Sequence, residues 1–146
     1  MHLFGDGAEK TQIEALISAE TSSQIFFHGM LERKELHEKL KTFDIAIVPL
    51  KTRIFGSVPS KIFEYGSLGL PILYFGGGEG ETIVKEDNLG WVASVENYKD
   101  LNEILKEISG LGKSELDVMK RRIFITAQDK FNLDNQIHDL IEKGVF

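Results

Sequence analysis

The sequence contains no cysteine. Disulfides, thiolate nucleophiles and Cys-ligated zinc are therefore excluded, while the compartment stays open. No apolar run approaches the ~20 residues of a membrane span. Met1-His2-Leu3-Phe4-Gly5-Asp6-Gly7 lacks a basic segment followed by a long apolar run, so it is not a secretory signal. Basic residues are in the minority. Seventeen Lys+Arg against 23 Asp+Glu leave a net charge of −6, which argues against a general nucleic-acid binder needing a basic face for phosphates. Several catalytic signatures are missing too. Gly5-Asp6-Gly7 has Lys10 where the dinucleotide fingerprint needs its third glycine. No Walker A motif occurs, and Gly76–Gly80 is not followed by Lys-Ser/Thr. There is no Gly-x-Ser-x-Gly nucleophile elbow. There is also no Asp-x-Asp, the usual carboxylate pair that holds a metal on a diphosphate. His2, His28, His37 and His138 show no metal-ligand spacing.

What is present is an alternation of short apolar runs with amphipathic segments over 146 residues, 42% hydrophobic and 27% charged. The runs are Leu3-Phe4, Gln24 to His28, Asp44 to Leu50, Ile72 to Phe75 and Gly90 to Ala93. Helical spacing appears at Ile13/Leu16/Ile17, Leu36/Leu40/Phe43, Leu101/Ile104/Leu105/Ile108, Leu116/Met119/Ile123/Ala127 and Leu133/Ile137/Leu140/Ile141. Two further short helices are expected, one from about Pro59 to Leu68 and one over 79–87. The first has Ser57 as its cap, Pro59 in its first turn, and Gly69 and Pro71 to stop it. Near-continuous apolar strands alternating with helices predict an α/β fold, a parallel sheet covered on both faces. Ligands of such sheets bind beyond the carboxyl ends of the strands. Those ends are Gly5–Gly7, His28–Leu31, Leu50–Val58 and Gly76–Glu81. The chain enters its first strand almost at once, which leads us to expect part of a longer protein.

Gly56-Ser57-Val58-Pro59-Ser60-Lys61-Ile62-Phe63-Glu64-Tyr65 is the most informative of these ends. Small residues lead from a strand into a helix N-terminus, where free N–H groups and the dipole favour an anion. Ser57 and Ser60 add hydroxyls and Lys61 a charge. Glu64, four residues after Ser60, can share their face and accept hydrogen bonds from a ribose diol. The plainer alternative is a capped helix with a solvated Lys61–Glu64 pair. Glu79 and Glu81, beside the Gly76–Gly80 turn, could touch a polar ligand or merely open an acidic helix start. His28 could line a pocket at its strand end, and His37 and His138 are expected at the surface.

Read together, the segments resemble the C-terminal half of a GT-B glycosyltransferase of the large retaining family called family 4. Leu3-Phe4-Gly5-Asp6-Gly7 and Ile25-Phe26-Phe27-His28-Gly29 resemble two strands of that domain. Phe43-Asp44-Ile45-Ala46-Ile47-Val48-Pro49-Leu50 resembles its "aDi-x-l-x-Pl" strand. Pro59-Ser60-Lys61-Ile62-Phe63-Glu64-Tyr65 with Gly69-Leu70-Pro71-Ile72-Leu73 resembles its "PSKl-x-EY…G-x-Pvl" block, and Gly78-Glu79 with Gly90-Trp91-Val92 its "GE…GW-v" block. The Pro-Ser-Lys form is that of bacterial surface polysaccharide transferases.

The resemblance implies a Rossmann-like domain over residues 1–146 that binds a nucleotide-sugar donor, with no cofactor and no metal. The sugar would pass to a glycan or lipid-linked acceptor held by a separate N-terminal domain, in the cytoplasm or at the inner face of the membrane. Gly29 and Met30 would wall the nucleobase. Ser57, Val58, Ser60 and Lys61 would meet the diphosphate, and Glu64 would hold the ribose. Gly56 stands where many members carry a first glutamate near the donor sugar. The family's opening strand and helix, with an Arg and a Lys for the diphosphate, have no counterpart here, so the chain alone is expected to transfer no sugar. In the family's strand order the missing strand is central. Residues 1–4 are therefore expected to pair directly with 45–48 in one five-stranded sheet, leaving apolar surface that favours self-association. Two rivals share the architecture: a receiver-like binding module, against which Asp44 argues by beginning its strand, and a nucleotide-sugar epimerase fragment.

Overall fold

The computed structural model describes residues 1–19, 24–52 and 56–144. The chain divides into two compact units, Met1–Leu40 and Lys41–Phe146. All strand pairings among the described residues are parallel, and strands alternate with helices from β1 to α5. This is the Rossmann-like α/β class expected from the sequence.

In the first unit, β1 (His2–Leu3) pairs with β2 (Phe26–Phe27). The Gly5 N–H continues the ladder to the Gly29 carbonyl at 2.8 Å. Helices α1 (Lys10–Ala19) and α2 (Arg33–Leu40) complete it. Ile13 and Ile17 of α1 are half-buried, but Leu16, expected on the same face, is exposed. The strand side chains are also more open than an apolar run suggests, with Phe26 53% exposed. A ring stack occupies this surface instead. His2 lies against Phe26 and against His28 at centroid distances of 5.1 Å, and Phe4 lies on His28 at 4.7 Å. The His2 Nδ1 and His28 Nε2 are 2.8 Å apart and share one proton as a hydrogen bond. His28 therefore serves the packing of β1 on β2.

In the second unit β3 (Ala46–Pro49), β4 (Ile72–Phe75) and β5 (Gly90–Ala93) form a sheet in the order β3-β4-β5. Ala46 sits opposite Ile72, and Ile72 opposite Gly90. Here the apolar runs are buried as expected: Ile72, Leu73 and Tyr74 have no exposed area. Their core includes Val48, Ile62, Val84, Leu89 and Ile123. It is closed by α3 (Lys61–Ser67), α4 (Glu79–Glu86) and α6 (Lys113–Lys130), which supply Ile62, Val84 and Ile123; α5 (Tyr98–Ser109) and α7 (Leu133–Glu142), with no buried residue of their own, complete the unit. Gly90 is required by geometry. Its φ is +152°, and a Cβ there would lie 2.0 Å from the Ile72 carbonyl oxygen of the neighbouring strand. The apolar side chains Leu133, Ile137, Leu140 and Ile141 of α7 are exposed, although their spacing is that of a buried face.

One expectation fails. Residues 1–4 do not pair with 45–48; β1 and β3 belong to separate sheets of two and three strands. The reason lies in strand length. β1 has only two residues, and its last ladder bond to the β2 side is made by Gly5, whose φ is +141°. Two residues offer too few hydrogen bonds to recruit the four-residue β3, since each net bond contributes only about 1 kcal/mol.

Candidate functional site

The segment after β3 carries most of the residues singled out above. α3 begins later than the spacing predicts. Its first helical bond runs from the Glu64 N–H to the Ser60 carbonyl at 3.1 Å, so Ser60, not Ser57, is the N-cap. The Ser60 side chain makes no cap hydrogen bond, and Ser57 and Ser60 are both exposed. Pro59 stays outside the helix and accepts from the Ile62 N–H at 3.0 Å in a tighter turn. The helix closes with the Leu70 N–H on the Tyr65 carbonyl and the Gly69 N–H on the Gly66 carbonyl, both 2.9 Å. This pattern is the Schellman ending that a helix–Gly sequence favours.

Ile62 and Gly66 face the core, which turns Lys61 and Glu64 outward together. The Lys61 Nζ donates to the Glu64 Oε2 at 2.6 Å, with side chains 49% and 19% exposed. The ammonium also lies 5.8 Å from the centre of the Tyr65 ring. Burial raises the Tyr65 phenol above its ordinary value, Lys61 opposing and Glu64 adding to the shift. Val58 is half-buried and packs against the core. So the structure brings Lys61 and Glu64 together and leaves Ser57 and Ser60 as open hydroxyls beside them in the chain. Gly29 and Met30 belong to the first unit, on the turn after β2, with Met30 79% exposed.

Gly56 brings in Glu79, which the sequence offers either as a contact for a polar ligand or as an acidic helix start. Its N–H donates to the Glu79 Oε1 at 2.7 Å. Glu79 opens α4 after the glycine turn beyond β4. Two backbone N–H groups, that of Gly56 and then its own, hold the Glu79 carboxyl below the usual carboxylate range against a smaller effect of desolvation. Its other oxygen, Oε2, is buried and has no hydrogen-bond partner. The turn itself is braced from beneath. The buried Tyr74 hydroxyl donates to the Gly77 carbonyl at 3.1 Å, and a Cβ at Gly80 would lie 2.6 Å from that hydroxyl. Burial first, and then Glu81 and Glu79, raise the Tyr74 phenol above its ordinary value, so it remains a donor. A visible signal existed in the sequence: an acidic residue directly after a glycine turn at a strand end.

In the first unit, a recess of about 350 Å³ lies at the carboxyl end of β1, lined in part by Gly5, Asp6, Gly7, Lys10 and Phe27. The histidines show no metal-ligand spacing in the sequence, yet the fold brings ligand atoms of His138, Asp139 and Glu142 on α7 within 4.8 Å of one another, the one such group among the described residues; all three are exposed. No helix among the described residues is long and apolar enough to cross a membrane.

The chain matches a protein-family model described as "Glycosyl transferases group 1" over residues 1–122. No curated protein matches it. The matched stretch includes both units' strands and every residue of the segment from Gly56 to Glu64.

Proposed function

The chain belongs to the group 1 glycosyl transferases, and we propose that it binds the nucleotide-sugar donor of such an enzyme. The diphosphate would lie along Ser57, Val58, Ser60 and Lys61, and the ribose diol would bond to Glu64. The transfer would follow the family-4 pattern, to a glycan or lipid-linked acceptor of cell-surface polysaccharide synthesis in the cytoplasm. The leaving diphosphate would be stabilised by Lys61 and backbone N–H groups without a metal. One observation carries the reading: beyond the carboxyl end of β3 stands an exposed ammonium held on a carboxylate, with the Ser57 and Ser60 hydroxyls beside it in the chain. A diphosphate offers Lys61 a stronger partner than Glu64 does. Glu64 would accept from the diol beside it.

Titration with UDP, GDP and ADP, followed by backbone amide NMR, tests this. Shifts are expected at 57–64; none there at millimolar nucleotide would refute it. Glu64→Ala is expected to weaken nucleotide binding by roughly 1–3 kcal/mol, the range for hydrogen bonds to charged groups. Folding should change little, because a salt bridge whose Lys61 side is half exposed contributes little. A large stability loss with unchanged binding would assign Glu64 to the scaffold.

A further inference from the structure

Every residue of α7 is exposed. Its first turn is tied to the end of α6 by two side-chain bonds, from Asn135 to the Gln128 carbonyl at 3.1 Å and from Gln136 to the Lys130 carbonyl at 2.8 Å. Ten residues are too few for a stable helix in water without packing. They nevertheless carry an apolar stripe. Leu133, Ile137 and Ile141 stand four apart with Leu140 beside them, and these side chains are between 39% and 67% exposed. Asp134, Asp139 and Glu142 lie among them, and α7 has no Lys or Arg. The outer side of α6 is its counterpart. An open groove of about 710 Å³ is lined by two rows of residues spaced by four, one through Lys113, Arg121 and Ile125, the other through Val118 and Arg122. Val118 is 68% and Ile125 60% exposed. Its three cations face a single acidic lining residue, Asp117, although the chain as a whole has a net charge of −6. Arg122 is held in place by donating to the Asn88 carbonyl at 3.0 Å, and its charge stays on the groove.

We propose that α7 of one copy of this chain docks in the α6 groove of a second copy, and that the exchange is reciprocal, giving a two-fold dimer. Shape, length and charge agree. The Leu133-Ile137-Ile141 row is an i, i+4 ridge, and the groove lies along two i, i+4 rows, the commonest way for helices to interlock. At 1.5 Å per residue α7 is about 15 Å long, and the groove from Lys113 to Thr126 about 20 Å. The acids of α7 meet Lys113, Arg121 and Arg122. The same charges disfavour other occupants: an anionic lipid surface or a nucleic acid suits the groove but is repelled by α7 beside it. Reciprocal exchange covers both surfaces in both copies and closes the assembly, whereas one-way docking leaves a helix and a groove open at its ends. The elements involved are not those of residues 56–64, so the dimer does not depend on donor binding.

Sedimentation equilibrium of the 146-residue chain tests this, with thermal melting as a fold control. The wild type is expected to dimerise with a micromolar dissociation constant; a monomer up to about 0.2 mM overturns the proposal. Raising the salt from about 0.05 to 0.5 M should weaken the dimer severalfold, because its charge pairs are screened, and this measurement needs no variant. Ile137→Lys spoils the stripe and Ile125→Lys the groove, and each should weaken the dimer by about tenfold or more. Leu16→Lys, at a residue 65% exposed on α1, should leave it unchanged. An equimolar mixture of Ile137→Lys and Ile125→Lys then identifies the surfaces. Neither variant alone has an intact stripe facing an intact groove, but the mixture has one such pair in each mixed dimer. Association should therefore return in part on mixing. A dimer that survives both variants, that is lost with Leu16→Lys instead, or that does not return in the mixture has its interface elsewhere, and the assignment falls.

Discussion

The two units use the same parallel ladder to opposite effect. In Met1–Leu40 each strand is two residues long, no residue of α1 is buried, and the strands' outer surface is a stack of aromatic rings. In Lys41–Phe146 the central strand β4 is flanked on both sides, and Ile72, Leu73 and Tyr74 have no exposed area. Hydrophobic stabilisation follows apolar area removed from water, so the second unit should hold nearly all the stability its core implies. The first should open at lower cost, as regions with few buried contacts do. Apolar content alone therefore says little. Phe26-Phe27 is as apolar as Ile72-Leu73, yet Phe26 remains half exposed because no second strand or helix layer covers it fully.

The sharpest way to break the contrast is at Gly90. Gly90→Ala places a methyl group 2.0 Å from the Ile72 carbonyl at a backbone angle that L residues rarely adopt. Strain and forced displacement together should cost about 3 kcal/mol or more. Chemical denaturation checks this, and a loss under about 1 kcal/mol would mean that the β4–β5 register is not as described. Next in size is a matched pair of truncations. Ile123→Ala empties a fully buried site in the second unit's core and should cost about 2–5 kcal/mol. Leu16→Ala removes a larger share of α1's apolar spacing but from a side chain 65% exposed, and should stay within about 0.5 kcal/mol. Equal costs would erase the difference between the units.

Much of the second unit was legible because its signals agree. Ile72-Leu73-Tyr74-Phe75, bounded by Pro71 and Gly76, could only be a buried strand, and β4 runs from Ile72 to Phe75. The α4 and β5 segments likewise fall where the pattern puts them. The start of α3 was not legible, because Ser57, Pro59 and Ser60 are all good N-terminal residues and only the hydrogen bonding chooses Ser60. Sheet connectivity was not legible either, since a parallel strand carries no mark of its neighbour. The pairing of residues 1–4 with 45–48 therefore rested on the cost of open edges, and strand length decided otherwise. In the candidate site, Lys61 and Glu64 could be read from helical spacing. The bond between Glu79 and Gly56 spans 23 residues, and no local pattern encodes it.

The smallest expected effect distinguishes the units by pH. His2 is held below its ordinary value of 6.5, first by desolvation, then by His28, the chain's amino terminus and Lys39. In the unfolded chain the adjacent amino terminus remains, but the desolvation and the approach of His28 and Lys39 are lost, so the unfolded state binds the proton more readily. The contribution of His2 to stability is therefore fully present above about 6.5 and declines as pH falls below it. The direction follows from the depressed folded value: a proton on His2 is disfavoured in the folded chain, where the ring is desolvated and lies near His28, the amino terminus and Lys39. Hydrogen exchange of amides 1–40 should speed up modestly between about pH 7.5 and 5.5, beyond the intrinsic pH effect, while the amides of β4 stay protected. His2→Gln should remove most of that dependence. The NMR titration of the two imidazoles gives the independent check, and a His2 midpoint at or above 6.5 would contradict the shielding ascribed to the stack.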